Sequence, residues 1–338
     1  MTDTFELDNK KLAQYLAQHI PDFEGPLKSK KFAGGQSNPT YLLTTPTLSY
    51  VLRRKPPGKL LPGAHAVDRE FKVLSALANS NVPVAAALHL CDDDEIIGSM
   101  FYVMEHMDGR VLWEPTLPES TPQERTQIYQ EMNRVLAELH KVDINAVGLG
   151  DFGKKGSYFE RQIRTWTKQY RAAETSQIAD MDALIDWLPT HTPADDGKVS
   201  ISHGDYRIDN MMFHNERNEV IALLDWELST IGHPYADLAY QCMQYHMPGG
   251  AGLPGLAGAN LTELGIPSEK EYVQTYCERM GYDTIGNWNF YLAFSLFRLA
   301  AICQGIEKRR QMGTASSAKA AEYGAKVKVL AKIAIDLI

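Results

Sequence analysis

The first hundred residues alternate short apolar runs with turn residues, a pattern typical of strands in a sheet. Five such runs are rich in Val, Leu, Tyr and Thr and are bounded by Gly, Asn or Pro. Helical spacing occurs in two other places, and in the second it relates Val67, Phe71, Leu74 and Ala78. The predicted strands are 27–33, 39–45, 49–54, 84–91 and 100–105, and the predicted helices are 7–19 and 66–80. We therefore expect a five-stranded sheet with one inserted helix.

Beyond "HMDGR" (106–110) the pattern becomes mainly helical. Long amphipathic stretches predict helices, and only "VSISHGD" and "VIALLDWE" read as short strands, placed around a polar turn. The clearest predicted helices are 122–140, 157–174 and 288–310. This division predicts an N-lobe at 1–106 and a helical C-lobe at 107–338. The Gly/Pro-rich stretch 247–260 is either a substrate lid or a surface connection.

Charge and cysteine content narrow the classes of function. The chain of 338 residues has 34 basic and 42 acidic side chains, a net charge of −8, which disfavours nucleic acid as a partner. An anionic ligand such as a nucleotide would need a metal ion and a few well-placed cations. The four cysteines form no C-x-x-C pair, and we find neither a signal-peptide core nor 18 consecutive apolar residues. We expect a cytoplasmic protein without a membrane partner.

Three polar side chains near the two short strands suggest chemistry. Asp205 and Asn210 follow the first strand, and Asp225 comes at the end of the second, so the three are expected to converge at one edge of a β-hairpin formed by these strands. Burying an ionised carboxylate without a partner costs several kcal/mol, so such residues usually have a task or a nearby cation. Phosphoryl transfer needs this set, because oxygen ligands must hold Mg²⁺ and one carboxylate must orient the attacking hydroxyl. Asn210 and Asp225 suit the metal, which leaves Asp205 for the hydroxyl.

The same residues carry a family resemblance. "HGDYRIDN" followed by "LLDWE" resembles the motif of the aminoglycoside phosphotransferase and choline kinase group, relatives of the protein kinases. The resemblance implies an α+β, bilobal protein-kinase-like fold with a five-stranded antiparallel N-lobe. It also implies that Asp205 is the catalytic base, that Asn210 and Asp225 are metal ligands, and that the cofactors are ATP and Mg²⁺.

A kinase needs further parts in the N-lobe. In "FAGGQSNPTYLL" the residues Gly34, Gly35, Ser37 and Asn38 could cover phosphates with backbone N–H groups, although a plain β-turn fits this stretch equally well. A hinge that bonds adenine is expected in "FYVMEHMDG", at Met104, Glu105 and Met107.

The phosphate-binding cation is expected on the third strand. "YVLR" aligns Arg53 with the lysine of protein kinases, and strand alternation sends Arg54 to the opposite face. Glu70 lies on the apolar side of its predicted helix, where a carboxylate is costly unless paired. We expect it to pair with Arg53; the alternative is the edge of a solvated face.

Departures from the protein-kinase pattern point to a small-molecule substrate. Gly204 stands where protein kinases have an arginine that reads an activation-loop phosphate, and no A-P-E motif follows Asp225. A protein substrate is therefore not expected. His203 and Asp237 are interpreted as structural residues near the site, and His233 as a hydrogen-bonded loop histidine.

The charged residues of the predicted acceptor site and a closer family resemblance both limit the chemical class of the phosphate acceptor. The helices expected to build the acceptor site carry cations rather than the carboxylates that would suit an aminoglycoside: Arg161, Arg164, Lys168, Arg171, Arg298, Lys308 and Arg309. "WTKQY" and "ALLDWELSTIGHPYADLAY" are similar to the kinase-like domain fused to acyl-CoA dehydrogenases and its stand-alone bacterial relatives. That similarity implies a hydroxy acid or hydroxyacyl thioester as acceptor.

Two other functions stay open at this point. One is a nucleotide-binding pseudokinase without turnover. The other is a metal-dependent hydrolase that uses His203, Asp205, Asp225 and His233, a donor set that would favour zinc or manganese.

Overall fold

The structure is a computed structural model, and it describes residues 6–32, 38–56, 65–154, 156–249, 254–313 and 320–338. The chain forms two compact units. The first contains Met1–Gly109 together with Ile221–Ser229, and the second contains Arg110–Val220 and Thr230–Ile338. The predicted lobe boundary at residue 106 stays a prediction.

The first unit is built on a five-stranded antiparallel sheet in the order β1-β2-β3-β5-β4. Its strands are β1 (Lys28–Lys31), β2 (Thr40–Thr44), β3 (Ser49–Arg54), β4 (Ala87–Cys91) and β5 (Phe101–Glu105), and its helices are α1 (Asn9–His19), α2 (Val67–Leu77) and α3 (Asp94–Ile97). The four-residue α3 was not predicted. The predicted sheet is confirmed, with each strand within three residues of its expected ends.

Alternation on the strands places the core of this unit. Leu43, Leu52 and Val103 point to one face and are fully buried, in a cluster closed by Leu12 and Leu16 of α1. Helix α2 buries Val67, Glu70, Val73, Leu74 and Leu77. These are spaced by three and four residues, as expected for one helical face. A carboxylate therefore sits on an apolar helix face.

The second unit is mainly helical. Its elements are β6 (Arg110–Val111), α4 (Pro122–Lys141), α5 (Tyr158–Ala173), α6 (Ala179–Thr190), β7 (Ser200–Ser202), β8 (Met211–Phe213), β9 (Val220–Leu223, passing into the first unit), β10 (Thr230–Gly232), α7 (Pro234–Cys242), α8 (Leu261–Leu264), α9 (Glu269–Met280), α10 (Trp288–Gln311) and α11 (Ala320–Asp336). Strand β7 pairs antiparallel with β10. The expectation that the strands of "VSISHGD" and "VIALLDWE" form one hairpin is therefore wrong, because the partner of β7 lies further along the chain.

Helix α10 is the core of the second unit. Its 24 residues include Phe294, Leu296 and Phe297, each at most 1% exposed. By length and composition it is the one helix of the described chain that could cross a bilayer, yet 72% of its most apolar window is buried within the protein. That burial is typical of a core helix.

Candidate active site

Strand β7 leads directly into the loop that carries Asp205, and an internal carboxylate fixes this loop. Asp237, on α7 and fully buried, accepts hydrogen bonds from the backbone N–H of His203 at 2.7 Å and of Gly204 at 2.9 Å. The Ser202 hydroxyl donates to the same carboxylate at 3.0 Å. Gly204 has φ +83°, a left-handed conformation that glycine adopts without steric cost. The expected structural role of Asp237 thus has a definite geometry.

Asp237 is held in its ionised form. Burial raises its pKa, but a hydrogen bond and the charge of His140, the charge of His203 and the Gly204 amide lower the pKa further, so that it lies below its usual range. The Nε2 atom of His140 lies 3.4 Å from Asp237 Oδ2. An ionised acceptor makes the bonds to the loop amides charge-assisted, which roughly doubles their strength.

The carboxylate of Asp205 is surrounded by donors. Asn210 Nδ2 donates to Asp205 Oδ2 at 2.8 Å and to its backbone carbonyl at 2.9 Å. Arg207 Nε lies 3.2 Å from Oδ1. The Tyr240 hydroxyl is among the groups that lower the pKa of the carboxylate. The side chain keeps 20% of its surface exposed. It is therefore held in one orientation and remains accessible to a ligand.

These donors also set the charge of Asp205. Burial raises its pKa, but the charge of Arg207, the Tyr240 hydroxyl, the charge of His203 and the bond from Asn210 lower it by more, so the net pKa is below the usual range. At neutral pH the side chain is an ionised acceptor that can orient a hydroxyl group and receive its proton.

Sequence reasoning missed Arg207 and Tyr240. Arg207 bridges two carboxylates, with Nη2 donating to Asp209 at 2.8 Å and Nε facing Asp205. Burial lowers the pKa of Arg207, but Asp205 and Asp209 raise it by more, so the guanidinium stays charged. One signal was available in the sequence: Tyr206 and Ile208 alternate with the polar residues at 205, 207 and 209. In the structure both of these side chains are buried. No signal of that kind marks Tyr240, which lies in an apolar helix.

Asn210 has the chemistry of a magnesium ligand. It ends the 3-10 turn Ile208–Asn210, and its two hydrogen bonds to Asp205 both use Nδ2. The carbonyl oxygen Oδ1 is thereby left for a cation, and Mg²⁺ prefers hard oxygen donors. The residue fits the predicted role, which stays a proposal.

In the first unit, Arg53 and Glu70 form the expected ion pair. Arg53 Nε lies 2.8 Å from Glu70 Oε2, and the Glu70 side chain is 1% exposed. Glu70 also accepts from Asn38 Nδ2 at 2.8 Å and from the Tyr102 hydroxyl at 3.1 Å. Burial raises the pKa of Glu70, and Arg53 with these two bonds offsets part of that rise. Burial lowers the pKa of Arg53, but Glu70 and Asp225 raise it by more, so the cation is retained.

Asp225 contacts the same arginine from a strained backbone position. Arg53 Nη2 donates to Asp225 Oδ1 at 2.6 Å and lies 3.7 Å from Glu227 Oε2. The φ angle of Asp225 is +63°, which costs a residue with a Cβ on the order of 1–2 kcal/mol. Such strain concentrates at functional sites. Strand β9 ends at Leu223, so Asp225 lies beyond the strand and not in its last position as predicted.

The sequence and the structure agree with those of known phosphotransferases. The profile of the phosphotransferase enzyme family matches residues 28–271. The chain belongs to this family. It is 50% identical over 313 residues to mouse acyl-CoA dehydrogenase family member 10, a match that covers 92% of this chain and 29% of that protein. The chain thus spans less than a third of the length of that relative.

Two solved structures show the family's fold. A Ralstonia eutropha protein, provisionally named an aminoglycoside phosphotransferase, is 50% identical, with a TM-score of 0.90 over 98% of both chains. Spectinomycin phosphotransferase in complex with ADP and spectinomycin is 12% identical, with a TM-score of 0.62 over 97% of this chain and 98% of that chain. The predicted α+β fold, with its five-stranded antiparallel sheet and helical C-terminal part, is confirmed.

The structure gives the surroundings of several of the predicted nucleotide-binding residues. Gly34, Gly35 and Ser37 lie outside the described residues. The Asn38 side chain is 1% exposed and donates to Glu70, and the predicted use of the Asn38 backbone N–H at a phosphate stays a proposal. At the expected hinge, the N–H of Glu105 already donates to the carbonyl of Ala86 at 2.9 Å and is not available to adenine. Met104 lies on β5 and Met107 follows that strand; both are half-buried, and their role stays a proposal.

The histidines do not form the metal site of a hydrolase. His233 uses both ring nitrogens: Nε2 pairs with Asp196 at 3.0 Å, and Nδ1 accepts from the Tyr235 N–H at 3.2 Å. His203 is fully buried, and its Nδ1 accepts from the Asp205 N–H at 3.3 Å. Among the residues that the structure describes, no group of three or more His, Cys, Asp or Glu side chains could hold a metal ion.

A pocket in the second unit adjoins the candidate base. Its cavity volume is about 80 Å³, which is below the usual range for a whole small-molecule site. Its wall combines apolar side chains, such as Met243, Met247 and Leu299, with the cations Arg207 and Lys326 and the carboxylate of Asp209, which pairs with Arg207. Met247 and Pro254, which belong to the predicted lid segment 247–260, line the pocket, and residues 250–253 of that segment lie outside the described residues.

Proposed function

We propose that this phosphotransferase transfers the γ-phosphoryl group of ATP, in a Mg²⁺-dependent reaction, to a hydroxyl of a small molecule. The observation that carries the proposal is the arrangement of Asp205 and Asn210. One amide group orients the candidate base through Nδ2 and leaves Oδ1 for a cation. The family assignment supports phosphoryl transfer, and the ADP bound to a structural relative supports the choice of nucleotide.

The residues would divide the work as follows. Asp205 orients the acceptor hydroxyl and takes its proton, a task suited to an ionised carboxylate. Arg53, steadied by Glu70, binds α- and β-phosphate oxygens. Asn210 and Asp225 are the proposed Mg²⁺ ligands, and the cation, when bound, supplies charge neutralisation at the phosphates. Positioning and charge stabilisation would provide most of the rate, because a loose transition state needs little covalent help.

The pocket beside Asp205 supports an amphipathic or anionic acceptor. Its apolar residues would hold a hydrocarbon chain, and Arg207 and Lys326 would face an anionic or strongly polar group. We therefore propose a hydroxy acid or a hydroxyacyl thioester in preference to an aminoglycoside, whose positive charges these cations would repel. The name of the mouse relative, an acyl-CoA dehydrogenase family member, is in line with an acyl thioester.

The remaining partner predictions are part of the proposal. We expect a small-molecule acceptor, and neither nucleic acid, membrane nor protein as substrate. All four cysteines are free thiols, which suits the proposed cytoplasmic location.

Acceptor-dependent ADP formation tests the proposal. Hydroxy acids, hydroxyacyl-CoAs, aminoglycosides, choline and sugars would each be incubated with the protein and Mg-ATP. We expect turnover with a hydroxy acid or hydroxyacyl-CoA, and its loss in Asp205→Asn while Mg-ATP still raises the melting temperature. Nucleotide binding without turnover on any acceptor would favour the pseudokinase. The absence of a Mg-ATP thermal shift in the wild-type protein would contradict both functions.

A further inference from the structure

Helix α7 buries a carboxylate and an amide that differ in their partners. All nine of its residues are buried. The Asp237 carboxylate accepts three hydrogen bonds from residues 202–204. Gln241 lies one turn further along and is 2% exposed, but its Nε2 has no hydrogen-bond partner in the part of the chain that the structure describes. The same holds for the buried Nε2 of Gln244, in the 3-10 turn that follows α7.

These unpaired NH₂ groups indicate that a partner is bound from outside the chain. Nearly all buried N–H groups in native proteins have an acceptor, and each exception calls for an explanation such as a water or a ligand. A Met or Leu would fill the same position in a buried helix without the cost of an unpaired donor. Positions three residues apart are neighbours on a helical surface, so Gln241 and Gln244 can serve one oxygen acceptor together.

Both glutamines line the pocket beside the candidate base. The same wall contains Arg207, whose Nε lies 3.2 Å from Asp205 Oδ1. A cavity of about 80 Å³ admits only one end of a phosphate acceptor. The last torsion of a glutamine side chain is soft, so rotation of the terminal amide can turn a buried NH₂ group towards a ligand in this cavity.

We propose that the amides of Gln241 and Gln244 bind the carbonyl oxygen of the phosphate acceptor and thereby select hydroxyacyl compounds over simple alcohols. This inference rests on the proposed function and adds the residues that recognise the acyl group. A neutral amide donor suits both sources of such an oxygen, the carboxylate of a free hydroxy acid and the carbonyl of a thioester. The cations Arg207 and Lys326 favour the carboxylate, although Asp209 in the same wall offsets Arg207.

The test compares Gln241→Met and Gln244→Met with a matched control, Gln304→Met. Gln304 is also 2% exposed, but its Nε2 donates to the Ala173 carbonyl and to the Thr175 hydroxyl, both at 2.9 Å. The acceptors are hydroxypentanoic acids with the hydroxyl on the second, third or fourth carbon, their CoA thioesters, and the matching pentanediols. For each protein we would measure kcat and KM for every acceptor, the KM for ATP and the melting temperature.

We expect the wild-type protein to prefer an acid or a thioester to the matching diol. Gln241→Met should raise the KM for that acyl acceptor about tenfold, as the loss of roughly one hydrogen bond would, and leave the KM for ATP unchanged. Gln244→Met should act in the same direction. Both variants should melt at or above the wild-type temperature, because each loses an unpaired polar group. Gln304→Met should melt lower and keep its KM values.

A comparison of the acyl acceptors identifies the source of the oxygen. An increase in KM that is confined to the free acids assigns it to a carboxylate, and one confined to the CoA thioesters assigns it to an acyl carbonyl. Either result supports the inference.

Three results would overturn the inference. Equal kcat/KM for diols and acyl compounds in the wild-type protein would show that no carbonyl is recognised, while phosphoryl transfer itself would stand. An unchanged KM together with a lower melting temperature in Gln241→Met would make the amide a structural group. If the wild-type protein phosphorylates none of these compounds, the proposed acceptor class is wrong and the inference fails with it. If Gln241→Met does not fold, Gln244→Met decides, and an unchanged KM for the acyl acceptor overturns the inference.

Discussion

The Asp237→Asn substitution tests how firmly an internal carboxylate holds the loop of Asp205. In the wild-type protein, Oδ1 of Asp237 accepts from Ser202 Oγ and from the Gly204 N–H, while Oδ2 accepts from the His203 N–H and faces His140 Nε2. Asparagine has nearly the same shape but replaces one acceptor oxygen by a donor. Whichever oxygen is replaced, two of the four groups around it lose their acceptor.

The stability lost in Asp237→Asn follows from the burial of this side chain. Asp237 is fully buried, so water cannot replace the lost bonds. A buried donor without an acceptor costs about 1–3 kcal/mol, and two such groups therefore cost about 2–6 kcal/mol. The native state of a typical domain is stable by only about 5–15 kcal/mol, so the loss should be large enough to measure and could unfold the unit. Phosphoryl transfer should also fall, because the Asp205 loop loses its anchor.

Thermal unfolding measured against pH adds a second, independent readout. The pKa of Asp237 is lowered in the folded protein, so its contribution to stability is present above the unfolded pKa of about 3.9 and is lost as pH falls towards the lower folded value. The wild-type melting temperature should therefore drop between about pH 5 and the acid limit of the assay. Asp237→Asn should start lower at pH 7 and lose less on acidification.

Asp283→Asn provides the matched control, because Asp283 is exposed and the substitution is chemically the same. It should have the same melting temperature as the wild-type protein at pH 7 and at acidic pH. The reasoning is refuted if Asp237→Asn melts within a degree or two of this control at pH 7. A parallel acid response in Asp237→Asn and wild type would also refute it, because the lowered pKa would then have no effect on stability.

Two further substitutions test neighbouring features. Glu70→Gln removes one of the two carboxylates that pair closely with the buried Arg53 guanidinium, while Asp225 at 2.6 Å still compensates its charge; the loss of stability should therefore stay below the about 3–5 kcal/mol of a buried ion pair broken without compensation. We expect a lower melting temperature and a KM for ATP raised about tenfold, and an unchanged KM would speak against a role in nucleotide binding. Gly204→Ala places a Cβ at φ +83° at a cost of about 1–2 kcal/mol and should reduce turnover, whereas Gly286→Ala, with open space around its Cβ position and no positive φ, should be silent; equal behaviour of the two variants in melting and turnover assays would contradict this.

Much of the fold could be predicted from local pattern. Strand β3 has the predicted bounds 49–54, and helix α4 extends one residue beyond the predicted 122–140, because alternation, Pro at the helix start and the cap at Thr121 are all local signals. The pairing of β7 with β10 could not be predicted in this way. Its two strands are short, and the helical turns and strands between them give no cue to which partner is chosen.

In the candidate site, as in the fold, the contacts that a local sequence signal marks could be predicted and the others could not. Glu70 could be linked to Arg53 from the sequence, because a carboxylate on an apolar helix face needs a cation. Strand alternation puts Arg53 and Arg54 on opposite faces of β3, and the structure pairs Glu70 with Arg53. The side-chain bond of Asn38 to Glu70 was not predicted, because the turn next to glycines drew attention to the Asn38 backbone N–H, whose use at a phosphate stays a prediction. Tyr102 gave no sign of its hydrogen bond to Glu70, since a buried tyrosine in an apolar element resembles any other core residue.

The anchoring of the 203–204 amides by Asp237 has a consequence for control. Protein kinases that read a phosphate through an arginine can be switched by adding or removing that phosphate, whereas here a glycine occupies the position and the anchor is a side chain of the same unit. The loop that carries Asp205 would then be ordered as soon as the unit folds, and the rate of the proposed reaction would depend on the concentrations of acceptor and nucleotide.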